Sequence, residues 1–433
     1  MLLMKRTELS LTVFSALLIT LLLVTSRPSL KADTEVPQLQ WSKTYNGDSG
    51  LAVQTADGGY AIAAKNASIW YPALERAPML IKTDSSGNLQ WSKIFETVGL
   101  VGVNSIVQTK DSGYAISGTS IAPPILNPVY SGWLIKTDDK GTVQWNKTFE
   151  DPLETCHVIQ TSDGGYALTG YMANSANGAN GLLLKMDEKG NTVWSKTFGG
   201  NSSKVFILNI AEANNGGYVL VGNRDQDGWL AKTDNEGDLQ WSQTYHSSGF
   251  AALLTLAKNS DGGYILSGGT IDTGLLIKTD SNGNSQWTKD YSASPLIGSV
   301  LQTADGGFIV ASSHKRQACL IKTYSSGLLL YNVSYGEVNE NLSSYASSVV
   351  TTNDGGYAVS GTLNHYSPTT TEGLSATPSE TNNVWLAKFA PESNSSPNGS
   401  EPLPIIGTVA ALIVVVIIVA AGLGLLTYLI KRK

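Results

Sequence analysis

The sequence predicts an all-β fold built from seven repeats of one four-stranded antiparallel unit. Two short motifs recur along the chain at intervals of about 44 to 54 residues, and 44 Gly residues supply the turns between them. Charged residues make up only 15% of the chain, which favours strands buried on both sides. Repeats of this length form arrays in which each unit packs on its neighbours.

The first motif is an apolar run, a DGGY turn or a close variant of it, and a second apolar run. Its aromatic residue falls at Tyr60, Tyr114, Tyr166, Tyr218, Tyr264, Phe308 and Tyr357. The second motif reads LIKTD-x-x-G-x-x-x-W-x-K-T-[YF]. Its Trp falls at Trp91, Trp145, Trp194, Trp241 and Trp287, with Tyr331 in the sixth copy.

Each repeat contains four short β-runs, which we name strands A, B, C and D. In the second repeat they are Val103–Thr109, Tyr114–Gly118, Trp133–Thr137 and Val143–Phe149. The Gly residues of the A–B and C–D turns supply positive φ for tight hairpins. Antiparallel four-stranded units repeated radially form a β-propeller, and we expect the strand D Trp to pack between adjacent blades.

The two ends of the repeat region predict how the ring closes. Blade 7 ends at strand C, Val384–Phe389, and lacks a strand D, whereas an isolated strand D, Trp41–Tyr45, precedes blade 1. We therefore predict that the N-terminal strand completes the last blade and closes a seven-bladed β-propeller over residues 38–390. An open solenoid would not need a complementary half-repeat at each end.

The termini predict the compartment. Residues 1–32 have the basic start, apolar run and small-residue end of a secretory signal peptide, with an uncleaved anchor as the alternative. Residues 405–430 are uncharged and apolar, which predicts one C-terminal transmembrane helix, and a basic cytoplasmic tail follows at 431–433. The composition of residues 391–404 predicts a Ser/Pro/Asn-rich stalk. The predicted topology is single-pass type I in the cell membrane, with an extracellular propeller.

Seven N-x-S/T sequons agree with an extracellular glycoprotein. They are Asn66, Asn146, Asn201, Asn332, Asn341, Asn394 and Asn398.

Charge and residue spacing argue against several classes of site. Outside the two tails, residues 33–404 carry 22 basic and 34 acidic residues, a net charge of −12, so nucleic acid is not an expected partner. The repeat Asp residues lie in tight turns and lack the ligand spacing of a calcium loop, and the four His lie in separate blades, so no metal site or cofactor is predicted. Cys156 and Cys319 belong to distant blades and are not expected to bridge. Cys156 and His157 are adjacent in a strand, which places them on opposite faces and disfavours a nucleophile pair.

The connections divide between two faces of the predicted disc. The uniform A–B and C–D turns lie on one face, the turn face, and the variable B–C connections lie on the other, the loop face. The B–C connections of blades 7, 1, 2 and 3 are long, and those of blades 4, 5 and 6 are short. Aromatics on long loops above a rigid scaffold are typical of recognition sites. The predicted ligand-binding arc is Trp70, Tyr71, Tyr130, Tyr171 and Tyr366.

The C-to-D segment LIKTDSSGNLQW resembles the tryptophan-docking repeat of PQQ-like propellers and, more distantly, the Asp-box of sialidase propellers. The whole arrangement resembles archaeal and bacterial cell-surface propeller proteins with a C-terminal membrane anchor. The resemblance implies the fold and leaves the chemistry open, because propellers support unrelated functions. A quinoprotein dehydrogenase is disfavoured, because the predicted blade number differs from that family's and the sequence lacks its adjacent Cys pair. A sialidase would need an arginine cluster to bind the carboxylate of its substrate. The sequence instead spreads Arg76, Arg224 and Arg316 round the ring.

The sequence therefore favours a non-enzymatic binding or cell-surface scaffold module whose ligand is a surface glycan or an envelope protein. The alternative is an anchored hydrolase or lyase acting on extracellular polysaccharide through funnel carboxylates. A third hypothesis is a subunit of an envelope assembly.

Overall fold

A computed structural model describes most of the repeat region of the 433-residue chain. The described residues are 36–66, 77–96, 100–122, 129–173, 179–200, 203–246, 252–269, 273–291, 296–335, 342–365 and 381–391. The predicted signal peptide, transmembrane helix and cytoplasmic tail lie outside them, as does the stalk beyond Pro391. Within the described part of the chain, no helix is both long and apolar enough to cross a membrane.

The described residues form 27 β-strands. In chain order these are β1 Leu39–Asn46, β2 Asp48–Gln54, β3 Tyr60–Lys65, β4 Pro78–Thr83, β5 Leu89–Ile94, β6 Leu100–Gln108, β7 Tyr114–Ala122, β8 Val129–Thr137, β9 Val143–Gln160, β10 Tyr166–Ala173, β11 Ala179–Met186, β12 Thr192–Phe198, β13 Val205–Glu212, β14 Tyr218–Arg224, β15 Asp227–Thr233, β16 Leu239–Tyr245, β17 Ala252–Lys258, β18 Tyr264–Gly269, β19 Gly274–Thr279, β20 Ser285–Tyr291, β21 Leu296–Gln302, β22 Phe308–His314, β23 Gln317–Thr323, β24 Leu329–Tyr335, β25 Leu342–Thr351, β26 Tyr357–His365 and β27 Thr381–Phe389.

These strands make seven four-stranded antiparallel blades, as the repeats predict. Blade 1 is β2 to β5, blade 4 is β13 to β16, blade 5 is β17 to β20 and blade 6 is β21 to β24. Blades 2 and 3 share β9, an 18-residue strand that serves as strand D of one and strand A of the next. Each strand A contacts the strand A of the following blade, round to the starting point. Strand A is therefore the innermost strand, and the blades form a closed ring.

Blade 7 is completed by the N-terminal strand. Its order is β25-β26-β27-β1, and β1 pairs antiparallel with β27, with Trp41 opposite Lys388 and Tyr45 opposite Val384. The Ala390 N–H donates a hydrogen bond of 2.8 Å to the Gln38 carbonyl. The predicted ring closure is confirmed, and both ends of the described chain meet at the turn face.

Aromatic contacts join each blade to the next. The strand D Trp of one blade meets the strand B aromatic of the following blade edge to face, as in Trp41–Tyr60 and Trp91–Tyr114. In five such pairs the ring centroids are 5.5 to 6.3 Å apart, with interplanar angles of 66° to 79°. The expected packing role of these Trp side chains is confirmed.

The C–D turn glycine makes room for the Trp of the preceding blade. At Gly87, φ is +75°, and a Cβ there would lie 2.6 Å from the Trp41 ring. The same contact recurs at Gly141, Gly190, Gly237, Gly283 and Gly327. These positions need glycine for the left-handed backbone and for the close approach of the indole.

Every strand A contains a β-bulge at the same height. In blade 2 the pairing shifts between Val103 and Ser105, which leaves Asn104 as the extra residue. The bulge drives a strand A carbonyl into the neighbouring strand B, so that a Cβ at Gly118 would lie 2.1 Å from the Gly102 oxygen. Four other blades have Gly at the matching position for the same reason, namely Gly170, Gly222, Gly268 and Gly361.

Ion pairs between a largely buried Lys and a partly exposed Asp hold the A–B turn in place. The Lys of the LIKT motif reaches the Asp of the DGG turn in six blades, and five of these pairs have distances of 2.7 to 2.9 Å. In blade 1, Asp57 also accepts hydrogen bonds from the Thr55 hydroxyl and the Gly59 N–H. The sequence interpretation of these Asp residues as turn formers was therefore incomplete, because the same carboxylate also neutralises a buried Lys.

Blade 4 departs from this arrangement because Asn215 replaces the Asp. Lys232 is only 5% exposed, and it donates to the carbonyls of Gly216 and Thr233 and to the Gln240 amide oxygen. Burial lowers the pKa of Lys232, and the nearby Asp234 partly opposes this shift. The blade thus accommodates a buried Lys with carbonyl acceptors alone.

We predict that Trp41→Ala and Trp91→Ala destabilise the protein equally, by about 3 kcal/mol each, because each removes one inter-blade aromatic anchor. Chemical denaturation followed by far-UV circular dichroism measures both variants. If Trp41→Ala lowers the free energy of unfolding by less than half as much as Trp91→Ala, the joint between blades 7 and 1 is weaker than the joint between blades 1 and 2.

We also predict that Asp57→Asn lowers stability near pH 6 but not near pH 2. Partial burial tends to raise the pKa of Asp57, but the hydrogen bonds from Lys82, Thr55 and Gly59 outweigh it and lower the pKa to about 2, from 3.8. Since the folded-state pKa is depressed, the stabilisation is present above pH 4 and disappears as the pH falls to 2.

Near pH 6, the expected difference in free energy of unfolding between the unchanged protein and Asp57→Asn is about 1 kcal/mol. It is small because the Asp57 side chain is 57% exposed and solvent screens the pair. Urea unfolding of both proteins at the two pH values measures it. A difference that persists unchanged at pH 2 contradicts this account.

Candidate functional site

The blades differ in how far strands B and C extend at the loop face. Blades 4 and 6 end in two-residue hairpin turns, in which Arg224 pairs with Asp227 and His314 pairs with Gln317. The B and C strands of blades 2, 3 and 7 continue further, and their last pairs are Ala122 with Val129, Ala173 with Ala179, and His365 with Thr381. The long connections predicted for these three blades therefore begin as raised β-hairpins.

Two of the five predicted arc residues lie in the described part of the chain. Tyr130 belongs to β8, opposite Ile121, and Tyr171 belongs to β10, opposite Gly181. Both had been predicted in loops, but the B and C strands pair beyond the repeat core and include them, as expected for segments rich in aromatic and apolar residues. Trp70, Tyr71 and Tyr366 lie outside the described residues.

Tyr171 forms the centre of a compact group. Its hydroxyl donates a hydrogen bond of 2.6 Å to Glu154 Oε2. Its ring meets the Phe206 ring edge to face, with centroids 4.7 Å apart and an interplanar angle of 73°. Burial, and then the Glu154 carboxylate, raise the pKa of Tyr171, so the hydroxyl stays protonated and serves as a donor.

Tyr130 approaches this group from blade 2. The residue after it, Ser131, pairs with Pro152 of β9, two residues before Glu154. The Tyr130 phenol is close enough to contribute to the raised pKa of Tyr171. We define these four half-buried residues, Tyr130, Glu154, Tyr171 and Phe206, as the tyrosine site.

Sequence reasoning missed Glu154 and Phe206 because both belong to innermost strands, which it assigned to the core. They occupy equivalent positions in blades 3 and 4, two residues before the bulge. The strand B glycines opposite, Gly170 and Gly222, would meet the carbonyl oxygens of these two residues if they carried a Cβ. Those glycines were the sequence signal for the bulge.

Cys156 is the bulged residue of blade 3, and His157 follows it. Burial, and then Glu154, raise the pKa of Cys156 to about 12, and burial lowers the pKa of His157 to about 4. A thiolate–imidazolium nucleophile needs shifts in the opposite directions. Both Cys156 and Cys319 are free thiols, as the sequence predicted.

The charged residues of the short hairpins have local partners. The Arg224 guanidinium lies over the Trp229 ring, 5.9 Å from its centroid. The Asp227 carboxylate is 2.8 Å from His246 Nδ1. Arg224 and Arg316 stay in separate blades, and Arg76 lies outside the described residues. Within the ranges described here, no three His, Cys, Asp or Glu side chains group as a metal site.

The described sequons differ in exposure. Asn146 and Asn332 are exposed on outermost strands, whereas Asn66 is half-buried at the end of blade 1 strand B. Asn201, Asn341, Asn394 and Asn398 lie outside the described residues.

Comparison with known proteins supports the fold. No protein-family model matches the chain, and no curated protein matches it either. Among solved structures, the Dos1 propeller matches with a TM-score of 0.50 and 12% identity, over 81% of this chain and 95% of that chain.

Two other solved structures match at lower TM-scores. A protein of unknown function from Dyadobacter fermentans matches with a TM-score of 0.47 and 10% identity, over 82% of this chain and 97% of that chain. YCF48 bound to D1 peptide matches with a TM-score of 0.46 and 10% identity, over 84% and 99%. At 12% identity, the match to the Dos1 propeller supports the β-propeller fold and indicates nothing about the ligand.

We predict that Cys156 resists alkylation in the folded protein. A thiol with a pKa of about 12 is thiolate in about one molecule in 10⁴ at pH 8, against about one in ten for an ordinary thiol. Iodoacetamide should therefore label Cys156 about 1000-fold more slowly in the native protein than in urea, as measured by peptide mass spectrometry. Equal rates would contradict the buried, unactivated thiol.

Proposed function

We propose that this protein is a membrane-anchored extracellular β-propeller that binds a surface glycan or an envelope protein through its loop face. The single observation that carries the proposal is the tyrosine site, where side chains found in blades 2, 3 and 4, and not repeated in every blade, meet at the mouth of the ring. The signal peptide, anchor and type I topology enter the proposal from the sequence alone.

The repeated polar residues are already used by the framework. The LIKT lysines neutralise turn aspartates, as in Lys82–Asp57, and the aspartates of the C–D turns accept local N–H groups, as Asp84 does from Ser86 and Asn88. Residues common to all blades therefore stabilise the ring. Specific recognition must come from residues that differ between blades, and aromatic side chains such as Tyr171 and Phe206 are the usual anchors of recognition surfaces.

The two ends of the described propeller lie at the face opposite the tyrosine site. The described chain enters at Gln38 and leaves at Ala390, both at the turn face. Neither tail therefore starts on the loop face. A recognition site held on paired strands is also more rigid than one on loops, which lowers the entropic cost of binding.

Local partners of the described loop-face carboxylates favour binding over hydrolysis. Asp48 pairs with Lys65 at 3.1 Å, Asp227 pairs with His246, and Glu154 accepts the Tyr171 hydroxyl. Glycoside hydrolysis needs two carboxyl groups facing one bond about 5 to 10 Å apart, with one of them protonated. Because these three carboxylates already have local partners, they support binding rather than hydrolysis as the proposal.

The test is a glycan array and a surface cross-linking screen with the full chain in detergent micelles. We expect Tyr171→Ala and Phe206→Ala to weaken the interaction at least about tenfold, as for central aromatic anchors. Leu239→Ala is the matched control, since Leu239 is 50% exposed on the outermost strand of blade 4. If all three variants keep every detected interaction unchanged, the loop-face proposal is wrong.

A further inference from the structure

Glu154, a half-buried carboxylate on an innermost strand, has no cationic partner among the described residues. Its side chain accepts the Tyr171 hydroxyl, and no described Lys, Arg or His forms an ion pair with it. Asp48, which belongs to the start of strand A in blade 1, is paired with Lys65. A half-buried carboxylate with one neutral donor keeps its negative charge uncompensated, so the site attracts a positive group.

The surroundings of Glu154 are aromatic. Phe206 and Tyr171 meet edge to face with ring centroids 4.7 Å apart, and Tyr130 precedes Ser131, which pairs with Pro152 two residues before Glu154. The faces of aromatic rings carry partial negative charge, and they attract ammonium groups most strongly where water is partly excluded. A carboxylate bonded to Tyr171, whose ring packs against Phe206, is therefore suited to a cation that also has an apolar stem.

We propose that the tyrosine site binds an alkylammonium group, of the kind that ends a lysine side chain or a polyamine. The ammonium contacts Glu154, and the methylene stem packs on the rings of Tyr171 and Phe206. This inference rests on the proposed function, because it names the chemical class that the loop-face site recognises. It also agrees with the net charge of −12 over residues 33–404, which draws cationic ligands to the protein.

Other ligand classes fit less well. An anionic group would be repelled by Glu154. Arg224, on the adjoining blade, lies over the Trp229 ring. A neutral sugar would stack on the aromatic rings but leave the carboxylate without a counter-charge. An alkylammonium group is the class that satisfies both the charge and the rings.

The experiment titrates the full chain in detergent micelles at low salt and follows binding by isothermal calorimetry. One probe is a blocked hexapeptide with a central pair of lysines, its control is the same peptide with both lysines acetylated, and a third probe is spermidine. Acetylation removes the charge and keeps the stem, so it separates ammonium recognition from apolar contact. The relative affinities of peptide and spermidine identify the source of the ammonium group.

Two variants test the carboxylate. Glu154→Gln keeps the shape and removes the charge, and we expect it to weaken lysine-peptide binding at least about tenfold. Glu236→Gln removes an exposed carboxylate in the C–D turn of blade 4 and should leave binding unchanged. Phe206→Leu keeps the carboxylate and removes an aromatic face, so an intermediate loss is expected. A melting curve confirms folding of each variant.

Binding of the lysine peptide or of spermidine, lost on acetylation or on Glu154→Gln, supports the inference. Equal binding of the acetylated peptide, equal effects of the two Gln variants, or no binding of either probe overturns it. If Glu154→Gln fails to fold, the acetylated peptide and the Phe206→Leu variant test the inference in its place. A partner that binds through Tyr171 while neither ammonium probe binds would leave the proposed function standing and remove this inference alone.

Discussion

The contact between each strand D Trp and the next blade is the interaction on which the rest of the structure depends. A single sheet of four short strands has two apolar faces and cannot bury them alone. The indole of Trp41 lies on the Gly87 turn and against the Tyr60 ring, and the same arrangement follows round the ring. The Tyr45 hydroxyl adds a hydrogen bond of 2.7 Å to the Gly87 carbonyl. Six of the seven joints thus combine a strand D Trp with a turn glycine of the next blade. Between blades 6 and 7, Tyr331 replaces the Trp, and blade 7 has no C–D turn.

The uniform joints determine what the repeated residues can do. Since the blades must close into a ring, the turn face repeats one design. Its elements are a Lys–Asp pair in six blades and C–D turns in which Asp accepts backbone N–H groups, as Asp138 does. At the inner end of that face, the last strand A residue of one blade caps the turn of the preceding blade, as Gln108 accepts the Ala56 N–H at 2.8 Å. These polar groups are satisfied within the framework, so the turn face has a structural role.

The loop face has no such uniformity, and this is where the blades differ. Blades 4 and 6 have short hairpins, whereas blades 2, 3 and 7 have raised ones. The strand A bulges change the course of the innermost strands near the same face, and bulges commonly direct side chains at functional sites. In blades 3 and 4 they position Glu154 and Phe206 next to Tyr171, and a framework feature thereby creates a site.

The sequence by itself determined the number of blades, their strand order and the closure by Trp41–Tyr45. Those features follow from local turn chemistry and a repeated pattern, which can be read without knowing distant contacts. It also singled out Tyr130 and Tyr171. Only the tertiary structure decided that Lys82 pairs with Asp57 and that Glu154 and Phe206 belong to the site. These depend on side chains 25 to 52 residues apart in the chain meeting across strands and blades, and neither periodicity nor turn residues encode such a meeting.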